Sequence, residues 1–132
     1  MGFLDRFSPQ LLSALRIVSG LLFMAHGTAK LLGFPPTEMF AQAPEMGSLM
    51  WFAGAIELVG GALIALGLFT RPVAFICSGQ MAFAYFIGHA PQATFPAQNG
   101  GDAAILFCFV FLYIAAAGPG PWSVDSLIGK KT

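Results

Sequence analysis

Charge is what this chain has least of. Only 9% of its 132 residues are Asp, Glu, Lys or Arg, six acidic and six basic, and the formal net charge is zero. An average soluble domain carries roughly a quarter charged residues, so this chain cannot cover a water-facing surface. It has no basic run, which argues against nucleic acid as a partner, because phosphate binding needs a concentrated positive footprint. Cysteine is almost absent. Cys77 and Cys108 both lie in apolar runs without CxxC or metal-ligand spacing, and they read as small buried hydrophobes, not as a disulfide framework. The two histidines, His26 and His89, are far apart and lack companion ligands, so no metal site is expected. Flavin, haem and iron–sulfur motifs are missing as well, so no intrinsic cofactor is expected.

What the chain does have is apolar length. Hydrophobic residues make up 57% of it, and its mean hydropathy is +0.77. A helix needs about 20 mainly apolar residues to cross the hydrocarbon core. Candidate spans run over about 11–33, 48–69, 72–89 and 102–117. Thr70-Arg71-Pro72 makes a tight connection into the third, and Gly118-Pro119-Gly120-Pro121 ends the fourth. The first span is longer than a signal-peptide core, carries Arg16, His26 and Lys30 inside it, and lacks a convincing cleavage site after it, so it reads as a mature helix. The expected fold is all-α: one domain over 1–132, an antiparallel four-helix transmembrane bundle.

The Lys/Arg bias of the short loops orients the bundle. Arg6, Arg71, Lys130 and Lys131 fall at the N-terminus, the second connection and the C-terminus. The first and third connections hold no Lys or Arg. Both ends are therefore expected on the cytoplasmic side, with Trp51 and Trp122 in the interfacial belt. On the second span, Ala53, Glu57, Gly61 and Ala65 are spaced four apart and form a small-residue face for close packing.

Intramembrane polar residues are costly and usually face the bundle interior, so any function would lie there. His26 and Lys30 share a face of the first helix. His26 lies roughly 10 Å from the outer end of its helix, and Glu57 roughly 13 Å deep in the second, so the two sit at similar depth. The ligand-binding candidates are His26, Lys30 and Glu57, with Arg16, Gln80 and Asp102 in second rank; no catalytic residue is assigned. Arg16 lies near the inner end and is expected to reach the headgroups. Asp102 is expected to cap the fourth helix. His89 reads first as a solvated interfacial cap, and Arg71 as a topology and phospholipid contact. Three readings of the polar cluster stand side by side. It is a structural ion-pair network that registers the helices, a polar pocket walled by Phe and Met that suits a quinone headgroup with His26 exchanging protons, or a conduction pathway. The last has little support, because the inner half offers only Arg16 and Gln80.

The stretch Arg16-Ile-Val-Ser-Gly20-Leu-Leu-Phe23-Met-Ala-His26-Gly27-Thr-Ala-Lys30-Leu31 resembles the first-helix signature of the DoxX family. Glu57-Leu-Val-Gly60-Gly61 through Thr70-Arg71 continues the likeness. Asn99-Gly100-Gly101-Asp102 resembles the family's Asn-Gly-Gly-Glu, with a shorter acid. Gly118-Pro-Gly120-Pro-Trp122-Ser123-Val-Asp125 is similar to its Gly-x-Gly-x-x-Ser-x-Asp tail. The resemblance implies a small four-helix inner-membrane protein, a subunit or accessory of a quinone-linked redox system. It leaves open whether the chain is itself an enzyme. Quinone, a redox partner subunit and the lipid bilayer are the implied associates, and a homo-oligomer is compatible with the small-residue face. The alternative is a non-enzymatic scaffold or assembly factor whose buried charges are structural.

Overall fold

The computed structural model describes residues 2–129, so the basic pair Lys130 and Lys131 lies outside the described residues. Within them the chain is all-helical and contains no strand. A short α1 (Gly2–Asp5) precedes the long α2 (Ser8–Leu32). Then come α3 (Leu49–Leu66) and α4 (Thr70–Ala84), which runs on through a π turn, Tyr85–His89, and a 3₁₀ turn, Ala90–Gln92. After α5 (Pro96–Asn99), the last long helix is α6 (Asp102–Ala117), and α7 (Val124–Leu127) closes the tail. Three segments, Ser8–Leu32, Leu49–Leu66 and Thr70–Gln92, are long and apolar enough to cross a membrane. At 16 residues α6 is shorter, about 24 Å by its rise. The four long helices make the transmembrane bundle that composition predicts.

The bundle is built of two close pairs. α2 lies along α3 and α4 lies along α6, whereas α2 and α6 meet far less. Glycine sets the first contact. A methyl group at Gly61 would lie 2.5 Å from the Met24 nitrogen, and one at Gly20 would lie 2.6 Å from the Ala65 nitrogen. Gly27 packs in the same way on the Leu58 backbone. Such contact gives dispersion and tight registry where lipid removes the hydrophobic drive between helices. The face differs in part from the small-residue row above. Gly54, packed on Leu31, is fully buried, while Ala53 is only half-buried. The core between the pairs is apolar, with Phe23, Ile64, Cys77, Phe111 and Ile114 essentially inaccessible. Phe23 meets Phe111 edge-on at 4.9 Å.

The two ends of the bundle differ. The connections 33–48 and 93–101 form what we call the loop end; the α3–α4 turn and residues 118–129 form the tail end. At the tail end the chain folds back on itself. Arg16, fully buried, donates to the carbonyls of Pro119 (2.9 Å) and Trp122. The expectation that it reaches the headgroups is therefore corrected: backbone carbonyls in the bundle offer the guanidinium closer acceptors. Ser13 Oγ accepts from the Trp122 amide at 3.1 Å. Asp125, also buried, accepts from the amides of Phe69 and Thr70 at 3.0 Å each. Phe69 precedes α4 in a left-handed conformation (φ 51) and offers no side-chain cap. The distant carboxylate supplies one, meeting the positive end of the helix dipole and holding a backbone conformation that costs a non-glycine residue about 1–3 kcal/mol. Arg71 donates to the Ala115 carbonyl (3.1 Å) and the Ala116 carbonyl, so it caps the end of α6 and is not simply a lipid contact.

Candidate functional site

At the loop end, α2 brings Lys30 and α3 brings Glu57 to one point. Lys30 Nζ lies 2.7 Å from Glu57 Oε1 and 2.6 Å from Oε2. The carboxylate is 1% exposed and the lysine side chain 12%. Gln80 of α4 adds a third helix, donating from Nε2 to Glu57 Oε2 at 3.1 Å. Three of the candidate residues thus meet on one carboxylate, and they tie α2, α3 and α4 together where the glycine contacts have already brought α2 and α3 close. The other amide atom of Gln80, Oε1, is buried without a hydrogen-bond partner. The Lys30 ammonium also lies 5.4 Å from the centre of the Phe40 ring, which covers it from the first connection.

Beside this cluster is a cavity of about 430 Å³, where α2 and α6 separate. Lys30 and Glu57 contribute to its lining, Phe23, Met81 and Phe107 give it apolar walls, and Met39 and Phe40 border it from the first connection. Its size and its mix of apolar wall and few polar groups match the usual small-molecule site. His26 lines it from α2, exposed at its side, with its ring edge-on to Phe107 at 5.8 Å. His26 makes no hydrogen bond to Glu57; its Nδ1 is 2.8 Å from the Leu22 carbonyl, one turn back.

The other candidates are placed elsewhere. Arg16 sits at the tail end, 14 residues before Lys30 on the same helix, about 21 Å away. Asp102 is exposed at the start of α6, whose N-cap position is Gly101 without a side-chain cap. Asp102 stands in the first turn, where its carboxylate meets the positive dipole end, but it makes no capping hydrogen bond. Asn99 does that work, its Oδ1 accepting from the Gly101 amide at 2.8 Å. Asp102 does not line the cavity, though its neighbours Ala103 and Ala104 do.

His89, read from sequence as an interfacial cap, lines the cavity instead. The π turn Tyr85–His89 carries it there, and such turns recur at functional sites. Its Nδ1 is 2.9 Å from the Asn99 carbonyl. Asn99 in turn donates to Tyr85 Oη and to the Ala93 carbonyl, both at 3.1 Å, which fixes the loop around the histidine. The available sequence signal was Tyr85 and His89 four apart, followed by Asn-Gly-Gly. Among the described residues no three His, Cys, Asp or Glu side chains gather as a metal site.

The family model named DoxX matches residues 11–90, the stretch that carries His26, Lys30, Glu57, Gln80 and His89. The chain belongs to the DoxX family. Its relatives include an uncharacterized protein of Haemophilus influenzae, 41% identical over 99% of this chain and 100% of the relative. The "Putative oxidoreductase CatD" of Bacillus subtilis is 38% identical over 89% of this chain and 87% of its own length. The "Inner membrane protein YqjF" of Escherichia coli is 28% identical over 88% of this chain and 90% of its own length. No solved structure matches significantly.

Proposed function

We propose that this DoxX-family membrane protein is a subunit or accessory of a quinone-linked redox system of the bacterial inner membrane, and that the loop-end cavity receives the quinone headgroup. The observation that carries this reading is the juxtaposition of a closed Lys30–Glu57–Gln80 cluster with an aromatic-walled cavity flanked by His26 and His89. The apolar walls suit a flat ring, and the imidazoles bring hydrogen-bonding nitrogens to its edge. The neutral ion pair keeps the base polar without net charge. Electrons pass to or from a partner subunit. The oxidoreductase name of the Bacillus subtilis relative and the inner-membrane name of the Escherichia coli relative support the assignment. In our reading the tail end, with Arg71, faces the cytoplasm and the cavity lies in the outer half of the bundle.

The test is purification in native lipid and mass spectrometry of bound quinone. Wild type should retain quinone and Glu57→Ala should lose it at equal folding. If neither retains any, the proposal fails. A second reading has its own observation: Glu57 is completely engaged by Lys30 and Gln80, as a purely structural clamp would be. A scaffold of that kind predicts equal retention, or none, in both proteins.

A further inference from the structure

Hydrogen-bond bookkeeping around the cavity separates groups already engaged from groups still open. A backbone carbonyl only accepts, so a ring nitrogen beside one must carry the proton. His26 Nδ1 faces the Leu22 carbonyl and His89 Nδ1 faces the Asn99 carbonyl. In the neutral form each imidazole is therefore held in the same tautomer, with Nε2 as an open acceptor. The donors are differently placed. Lys30 directs N–H groups at both oxygens of Glu57 and is covered by Phe40. The Gln80 amide N–H is on Glu57, which leaves Oε1 without a partner. The open atoms of the two imidazoles are thus acceptors from different helices that line the same space, set against the Thr37 hydroxyl, which also lines it and accepts from the Phe40 amide.

We infer that the cavity selects a dihydroxyarene headgroup, the hydroxyl-bearing form of the ligand, and that His89 acts with His26 as its second hydrogen-bond acceptor. This rests on the quinone reading above and deepens it. A quinone carbonyl facing an imidazole lone pair is acceptor against acceptor. A hydroxyl facing it is a hydrogen bond, and one such bond to an otherwise unpaired group is worth about tenfold in affinity. The inference concerns binding; it assigns no electron acceptor.

The experiment is titration of the purified full-length protein, in lipid nanodiscs and without oxygen, with four probes. These are a short-chain alkyl hydroquinone, its oxidised quinone, its dimethyl ether, and an alkyl catechol. Wild type should bind the hydroquinone about tenfold more tightly than the quinone or the ether. His26→Ala and His89→Ala should each reduce the ratio of hydroquinone to quinone affinity. His26 is exposed, so its variant keeps the test valid if His89→Ala folds poorly. The catechol arm tells adjacent hydroxyls from opposed ones: whichever isomer binds more tightly identifies the class. Equal binding of hydroquinone and quinone by wild type would overturn the inference and leave the quinone reading standing. Binding of none of the probes would remove both.

Discussion

The two ends of this bundle bury charge in opposite ways. At the tail end, Arg16 is held by backbone carbonyls from a segment more than 100 residues away in sequence, and that end is closed by α7. At the loop end, Lys30 and Glu57 meet side chain to side chain, and a cavity remains next to them. Both arrangements answer the cost of an unpaired ion in a low-dielectric interior. They differ in what they leave over. The tail end leaves Arg16 Nε and Thr70 Oγ1 buried without partners, but they are closed in by the Arg16 and Asp125 contacts to backbone. The loop end leaves a cavity with open acceptors, the condition a binding site requires.

The difference can be broken at each end separately. Arg16→Met should have the largest effect. It removes two charge-assisted hydrogen bonds and strands the Pro119 and Trp122 carbonyls, for a loss of about 4 kcal/mol. Denaturant unfolding in mixed micelles would show this, and protease cleavage near Trp122 should rise while ligand retention by the remaining folded fraction is unchanged. Next, Glu57→Leu should cost about 3 kcal/mol, because it leaves Lys30 without its counter-charge, whereas Lys30→Met with Glu57→Leu should recover most of that. A double-mutant cycle on unfolding midpoints measures the coupling. The double variant should be stable but unable to retain ligand, which separates the clamp from the site.

Gly61→Ala should be milder, about 2 kcal/mol, since the added methyl must push the Met24 backbone away. The glycine contact positions both Lys30 and Glu57, so its effect on ligand retention should exceed that of an equally destabilising change at the tail end. Retention compared at matched stability checks this. Equal losses would mean that the two ends are not independent.

Much of the loop end was legible in the sequence. Lys30 and Glu57 stood out because charge inside an apolar span is rare, but helix rise placed His26, not Lys30, at the depth of Glu57. The bundle followed from hydropathy and short connections. The tail end was not legible in the same way. Arg16 has backbone carbonyls for partners, and carbonyls leave no residue signature. Asp125 caps a helix 55 residues earlier in the chain, a relation no local pattern encodes. His89 was hidden for another reason. A π turn shifts the helical phase, so a period of 3.6 residues does not point its side chain at the cavity. Asp102 misled because an acid at a helix start suggests a cap, while Asn99 already satisfies the Gly101 amide.

The Arg16 contacts also bear on the order in which the protein is made. Arg16 belongs to the first of the four long helices, and its acceptors on Pro119 and Trp122 are translated more than 100 residues later, after the last of them. Until they arrive, the nascent first helix carries an unpaired cation that favours the membrane surface or an assisting factor. A chain cut short after α6 would never resolve that charge. The contact therefore ties the settling of the first long helix to the arrival of the segment after α6.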